Sequence, residues 1–113
     1  MTKEEERMSR TTPADVIFVR RGSKYRAEPP SHKVHPLSKD NVCFRNLTGN
    51  PVWVWFPGDF LIGSPALIVG AEEDRCFNVN PEAAAGSYPY AAYVSGANDF
   101  VEGNSPPEII IDR

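Results

Sequence analysis

This chain is poor in the side chains that hold metals and do covalent chemistry: its 113 residues include two histidines, two cysteines and two methionines. It has no apolar run approaching the roughly 20 residues of a membrane-spanning helix. It also lacks any internal repeat, any low-complexity block and any amphipathic stretch of two helical turns. A helical membrane span, a collagen, a coiled coil and a repeat array are thereby excluded. Bases are scarce in the second half, where residues 51–113 carry two against nine acids, while residues 1–50 carry ten against six. With a net charge of −3 the chain is a poor match for a phosphate backbone. The uneven charge therefore reads as a solvated surface, and neither a nucleic-acid nor a membrane partner is expected. The segment Met1 to Met8 lacks the apolar stretch of a secretory leader. A cytoplasmic location and reduced thiols at Cys43 and Cys76 are the corresponding expectations.

What is present is an ordinary apolar fraction of 41% punctuated by 8 glycines and 11 prolines, enough for one packed domain. Residues 1–14 are polar and aperiodic and read as a flexible tail, with the domain spanning 15–113. Asp15 to Val19 is a β-branched run closed by Arg20-Arg21-Gly22, a strand and turn. The stretch Lys24 to Lys39, with Pro29, Pro30 and Pro36, suits an edge strand or extended crossing. Asn41 to Asn46 alternates, with Val42 and Phe44 on one face and Cys43 and Arg45 on the other.

Val52-Trp53-Val54-Trp55-Phe56 follows a dense turn and is apolar on both faces, so Trp53 and Trp55 point away from the Val52/Val54/Phe56 core face. Residues 67–69, 76–79, 88–94 and 109–111 complete about seven short strands, with at most one helical turn at Glu82 to Ala85. That pattern is the signature of an all-β sandwich.

Several segments fall in a familiar order. Val42 to Asn46 is an alternating strand ending in asparagine, Asn50-Pro51-Val52 stands where Pro-His is common, and Ala85 to Ala92 resembles an aromatic-rich approach to a cysteine. Glu102-Gly103 then precedes a closing strand at 108–112. Over residues 15–112 the chain resembles the cupredoxin family, the plastocyanin-like β-sandwiches, which implies a single Greek-key sandwich.

A type-1 copper site needs two imidazoles and a thiolate, usually with an axial methionine. The resemblance puts Val52 at the first histidine position and Ala92 at the cysteine position, and Tyr93 to Val101, with Ser95, holds neither histidine nor methionine. It therefore implies a scaffold without a type-1 site, and no cofactor is expected. It also implies that the strands carrying Cys43 and Cys76 are neighbours, so that a disulfide is one reading beside two free thiols.

Three functional readings follow. The leading one is a non-catalytic accessory or protein-interaction module, self-associating or binding a partner through Trp53 and Trp55, since exposed tryptophan pairs are enriched at interfaces. The competing structural reading has Phe60, Leu61 and Ile62 folding back over them. The second is a metal-handling protein with a non-type-1 copper or zinc site at His32 and His35, although an offset of three in an extended segment puts those side chains on opposite faces. The third is a small-ligand binder using the loop pocket near Val52, Ala92 and Ser95. Glu72-Glu73-Asp74 reads as a solvated turn, and no catalytic constellation or phosphate loop stands out, so no enzyme is expected.

Overall fold

Alternation of apolar and polar residues builds this molecule strand by strand. A computed structural model describes residues 13–35, 41–58, 60, 66–102 and 105–112. Those residues form eleven strands and no helix. They are β1 (Val16–Arg21), β2 (Lys24–Glu28), β3 (Ser31–Val34), β4 (Asn41–Asn46), β5 (Val52–Trp55), β6 (Ala66–Val69), β7 (Asp74–Asn78), β8 (Gly86–Pro89), β9 (Ala91–Val94), β10 (Asp99–Phe100) and β11 (Glu108–Ile111).

They assemble into sheets of order β2-β1-β4-β7, β10-β9-β5-β6 and β3-β11-β8. Most neighbours are antiparallel, whereas β1 with β4 and β11 with β3 run parallel. The β1–β2 hairpin turns on Gly22 and Ser23, with Gly22 at φ 65°. A positive φ at the first loop position is what a type II′ turn demands.

The all-β expectation holds, and the element count differs for local reasons. Pro29 and Pro30 remove two backbone donors and divide the expected long edge segment into β2 and β3. The run 88–94 begins earlier, at Gly86, and is interrupted at Tyr90, whose N–H donates to the carbonyl of Pro107, the next residue in the β11 register, which has no N–H to return the bond. Its first half pairs with β11 and its second with β5, so one stretch of chain joins two sheets. The expected strand at 76–79 starts at Asp74, and β10 was not foreseen. The expected helical turn at 82–85 is a plain turn, with Ala83 donating to the Asn80 carbonyl. The flexible tail and residues 36–40 lie wholly or largely outside the described residues.

All three sheets contribute one face to a common core. Val16, Phe18, Val42 and Phe44 meet Val52, Val54, Ala92 and Val94, and Ile109 and Ile111 close one end. The ring of Phe44 sits at its centre, 5.2 Å from Phe18, 5.7 Å from Phe77, 5.7 Å from Tyr90 and 6.0 Å from Phe56. Tyr90 is buried with its hydroxyl unpartnered among the described residues. Burial, and secondarily the nearby Glu102 carboxylate, push that phenol far above its ordinary range. A neutral buried O–H without an acceptor is a destabilising element. Tyr90→Phe is therefore expected to leave stability unchanged or raise it by about 1 kcal/mol, as read from the urea midpoint at constant m-value.

Side chains stitch the sheets where β6 lies against the first sheet. Arg75 Nη1 donates to the Ile68 carbonyl at 2.7 Å. Asn46, fully buried, donates its amide to the carbonyls of Val69 (2.9 Å), Gly70 (3.1 Å) and Asn50 (2.7 Å). Its Oδ1 accepts from the N–H and hydroxyl of Thr48.

Cys43 and Cys76 are joined in a disulfide, which corrects the expectation of reduced thiols. The reason is register: β4 and β7 are antiparallel with Cys43 directly opposite Cys76. Both side chains lie on the face turned away from the core, beside the Arg45–Asp74 pair at 2.9 Å. Nothing in the sequence over that separation of 33 positions fixes the register.

Candidate functional site

The outward face of β10-β9-β5-β6 carries an aromatic row that follows from strand register. Phe100 lies opposite Tyr93, Tyr93 opposite Trp53, and Trp53 opposite Ile68, so one line of side chains crosses the whole sheet. Two residues along β5, Trp55 lies between Ala91 and Ala66. Both of these cross-strand neighbours are small.

The indoles of Trp53 and Trp55 stack at 6.2 Å with 26° between planes, and Tyr93 meets Phe100 edge-on at 5.1 Å. The Tyr93 hydroxyl donates to Asn98 Oδ1 at 2.7 Å, which fixes its ring at one end of the row. Trp53, Trp55, Ile68 and Phe100 are 41%, 40%, 39% and 48% exposed. A contiguous apolar group of this kind is uncommon on a monomer without a binding role.

The alternation Val52/Val54/Phe56 inward and Trp53/Trp55 outward is as the sequence suggests. Phe60 does not cover the tryptophans. It is fully buried in the core, stacked on Tyr88 at 5.0 Å and packed on Phe56 at 4.8 Å. Leu61 and Ile62, the other expected covers, lie outside the described residues.

Val52, Ala92 and Ser95 come together where β5 meets the end of β9. Val52 lies opposite Val94 and Val69, Ala92 opposite Val54, and Ser95 donates its N–H to the Pro51 carbonyl at 2.9 Å. Val52 and Ala92 are alkyl side chains with essentially no exposure. They offer no lone pair, so the residues at these positions do not fit a type-1 copper ion.

The histidines are held apart by different partners. His32 Nε2 lies 3.7 Å from Asp15, whose other carboxylate oxygen accepts the Cys43 N–H at 2.7 Å, and His35 Nε2 lies 3.7 Å from Asp112. Among the described residues no group of three or more His, Cys, Asp or Glu side chains is arranged to hold a metal, and no helix is long and apolar enough to cross a membrane.

Sequence reasoning singles out Tyr93 with the tryptophans without placing it opposite Trp53, and it missed Ile68 and Phe100. The only signal available was outward alternation on three separate strands, and nothing local says which residues face one another.

Comparison with known proteins agrees with the fold. No protein-family model matches the chain, and a search of curated proteins gave no significant match. Solved structures do match. They include a Cu(I) form of a methionine-to-alanine variant of amicyanin, a second such Cu(I) variant, and a reduced tryptophan-to-tyrosine variant. Each has 17% identity and a TM-score of 0.50, covering 92% of this chain and 88% of the other. The fold is thus cupredoxin-like, an all-β sandwich of the amicyanin kind.

Proposed function

We propose that this protein is a non-catalytic, cupredoxin-like module that lacks a type-1 copper site and acts by binding a protein partner or a second copy of itself. The observation that carries this reading is the in-register row Phe100–Tyr93–Trp53–Ile68, with Trp55 stacked beside Trp53. Rigid, half-exposed aromatic rings are what interface hot spots are made of, because they bury much area at little cost in conformational entropy. The alkyl residues at the positions where the resemblance expects copper ligands support the copper-free part of the reading. The disulfide favours an oxidising compartment over the cytoplasm.

Sedimentation and affinity capture of the wild type and a Trp53→Ser/Trp55→Ser double variant test the interaction. The wild type is expected to self-associate or retain a protein partner, and the variant to be monomeric and retain none. Both being equally monomeric, with nothing captured, would defeat the reading. Both tryptophans point outward, so the double substitution is expected to change stability by no more than about 1 kcal/mol.

A further inference from the structure

Next to the aromatic row, β2, β10 and the turn that follows β10 enclose a cleft of about 390 Å³, within the size range of small-molecule sites. Its lining residues are Lys24, Arg26, Asp99 and Glu102 together with Tyr25, Phe100 and Ser105. The two cations balance the two carboxylates, so a ligand carrying net charge of either sign gains no net attraction.

Glu102 is built into this cleft. Its backbone is left-handed at φ 64°, and its side chain is only 9% exposed. The carboxylate accepts the Ala27 N–H at 2.8 Å and Arg26 Nη1 at 3.3 Å, while its own N–H donates to the Tyr25 carbonyl at 2.9 Å. A left-handed non-glycine residue persists where its surroundings over-determine it, and such residues concentrate at binding sites.

The other charged groups are left with bonding capacity. Arg26 is 49% exposed and uses one nitrogen on Glu102. Lys24 has no ion-pair partner among the described residues, and there the Asp99 carboxylate accepts only the N–H of its neighbour Phe100, at 2.9 Å. An ammonium and a carboxylate thus share one cleft without meeting, which calls for a ligand that both donates and accepts. Beside them the Phe100 ring is propped edge-on by Tyr93 and presents an open apolar surface.

The geometry points to this cleft as a binding site for a neutral saccharide. Sugar hydroxyls donate to Asp99 and accept from Lys24 and Arg26, and the weakly positive C–H groups of a pyranose lie on the electron-rich face of Phe100. A phosphate would meet two carboxylates, and a wholly apolar ligand would strip water from four charged groups without replacing their hydrogen bonds. The site is separate from the Trp53/Trp55 pair and shares only Phe100 with the row.

The test is an amide NMR titration of the full chain with glucose, galactose, maltose and cellobiose, with inorganic phosphate and glycine betaine run in parallel. At least one sugar is expected to shift the amides of residues 24–26 and 99–102. Asp99→Ala, which removes one charge-assisted hydrogen bond at an exposed position, is expected to weaken that sugar about tenfold. The Trp53→Ser/Trp55→Ser variant is expected to bind it unchanged.

Three results would overturn the proposal. One is that no sugar shifts these amides at tens of millimolar. Another is that phosphate or betaine shifts them and the sugars do not. The third is that the tryptophan variant loses sugar binding while Asp99→Ala keeps it.

Discussion

Asn46→Ala is expected to cost about 4 kcal/mol of unfolding free energy and to lower the melting temperature by about 15 °C. The side chain is fully buried and makes five hydrogen bonds, three donated to the carbonyls of Asn50, Val69 and Gly70 and two accepted from Thr48. Truncation takes the amide away from three carbonyls and the acceptor away from the Thr48 N–H, although the Asn50 carbonyl keeps the Thr48 hydroxyl and the Gly70 carbonyl keeps the Glu73 N–H. A buried polar group left without a partner costs about 1–3 kcal/mol, with the larger values where water cannot reach. The same side chain ties the end of β4 to the end of β6, in the other sheet, so its loss also loosens the contact between layers. Asn46→Asp separates the two halves of the effect: it keeps an acceptor for Thr48, removes the amide donors and places a charge beside three carbonyls, and is expected to be at least as damaging. Urea unfolding at constant m-value reads both variants. A loss below about 1 kcal/mol for the alanine variant would show that water restores the missing bonds.

Removing the cross-link is expected to cost nearly as much. Cys43 and Cys76 are 33 positions apart, and closing a loop of that length in the unfolded chain corresponds to about 3–4 kcal/mol at 25 °C. The pair lies on the outer face, with Cys76 exposed and Cys43 partly buried. The Cys43→Ala/Cys76→Ala variant therefore opens no core cavity, and its deficit measures the cross-link itself. The oxidised protein should be lighter by two hydrogens than the reduced one, and dithiothreitol should bring its urea midpoint down to that of the double-alanine variant. Equal midpoints for oxidised and reduced protein would mean that the linkage contributes nothing to stability.

Both effects bear on what a sequence can and cannot disclose. The strand Asn41–Asn46 was legible because it alternates strictly, and its burial alternates with it. Val52 to Trp55 was legible for the same reason, including the outward direction of both indoles. Pairing was not legible. Whether Cys43 meets Cys76, and whether Tyr93 meets Trp53, depends on register between strands far apart in the chain. That register is set by the core as a whole, not by any local signal. The cleft is less legible still, because Lys24 and Arg26 belong to an early hairpin and Asp99 and Glu102 to a late turn. Tyr90 shows the converse case. Its apolar neighbours read as one continuous strand, whereas the chain passes at Tyr90 from pairing with β11 to pairing with β5, with the ring packed in the Phe44 cluster.

The stitching along β6 has a consequence for how anything approaches this molecule. An open strand edge invites another chain to extend the sheet, and proteins that avoid aggregation block such edges. On β6 the carbonyls of Ile68 and Val69 are already occupied by the guanidinium of Arg75 and the amide of Asn46. At the far side of the same sheet the terminal strand, β10, is only two residues long. Lateral growth of this sheet is thus hindered at one border and curtailed at the other, while the aromatic face between them stays open. On this sheet the open direction is the one normal to the sheet plane, so a partner can meet the stacked tryptophans face-on without adding a strand to β10-β9-β5-β6.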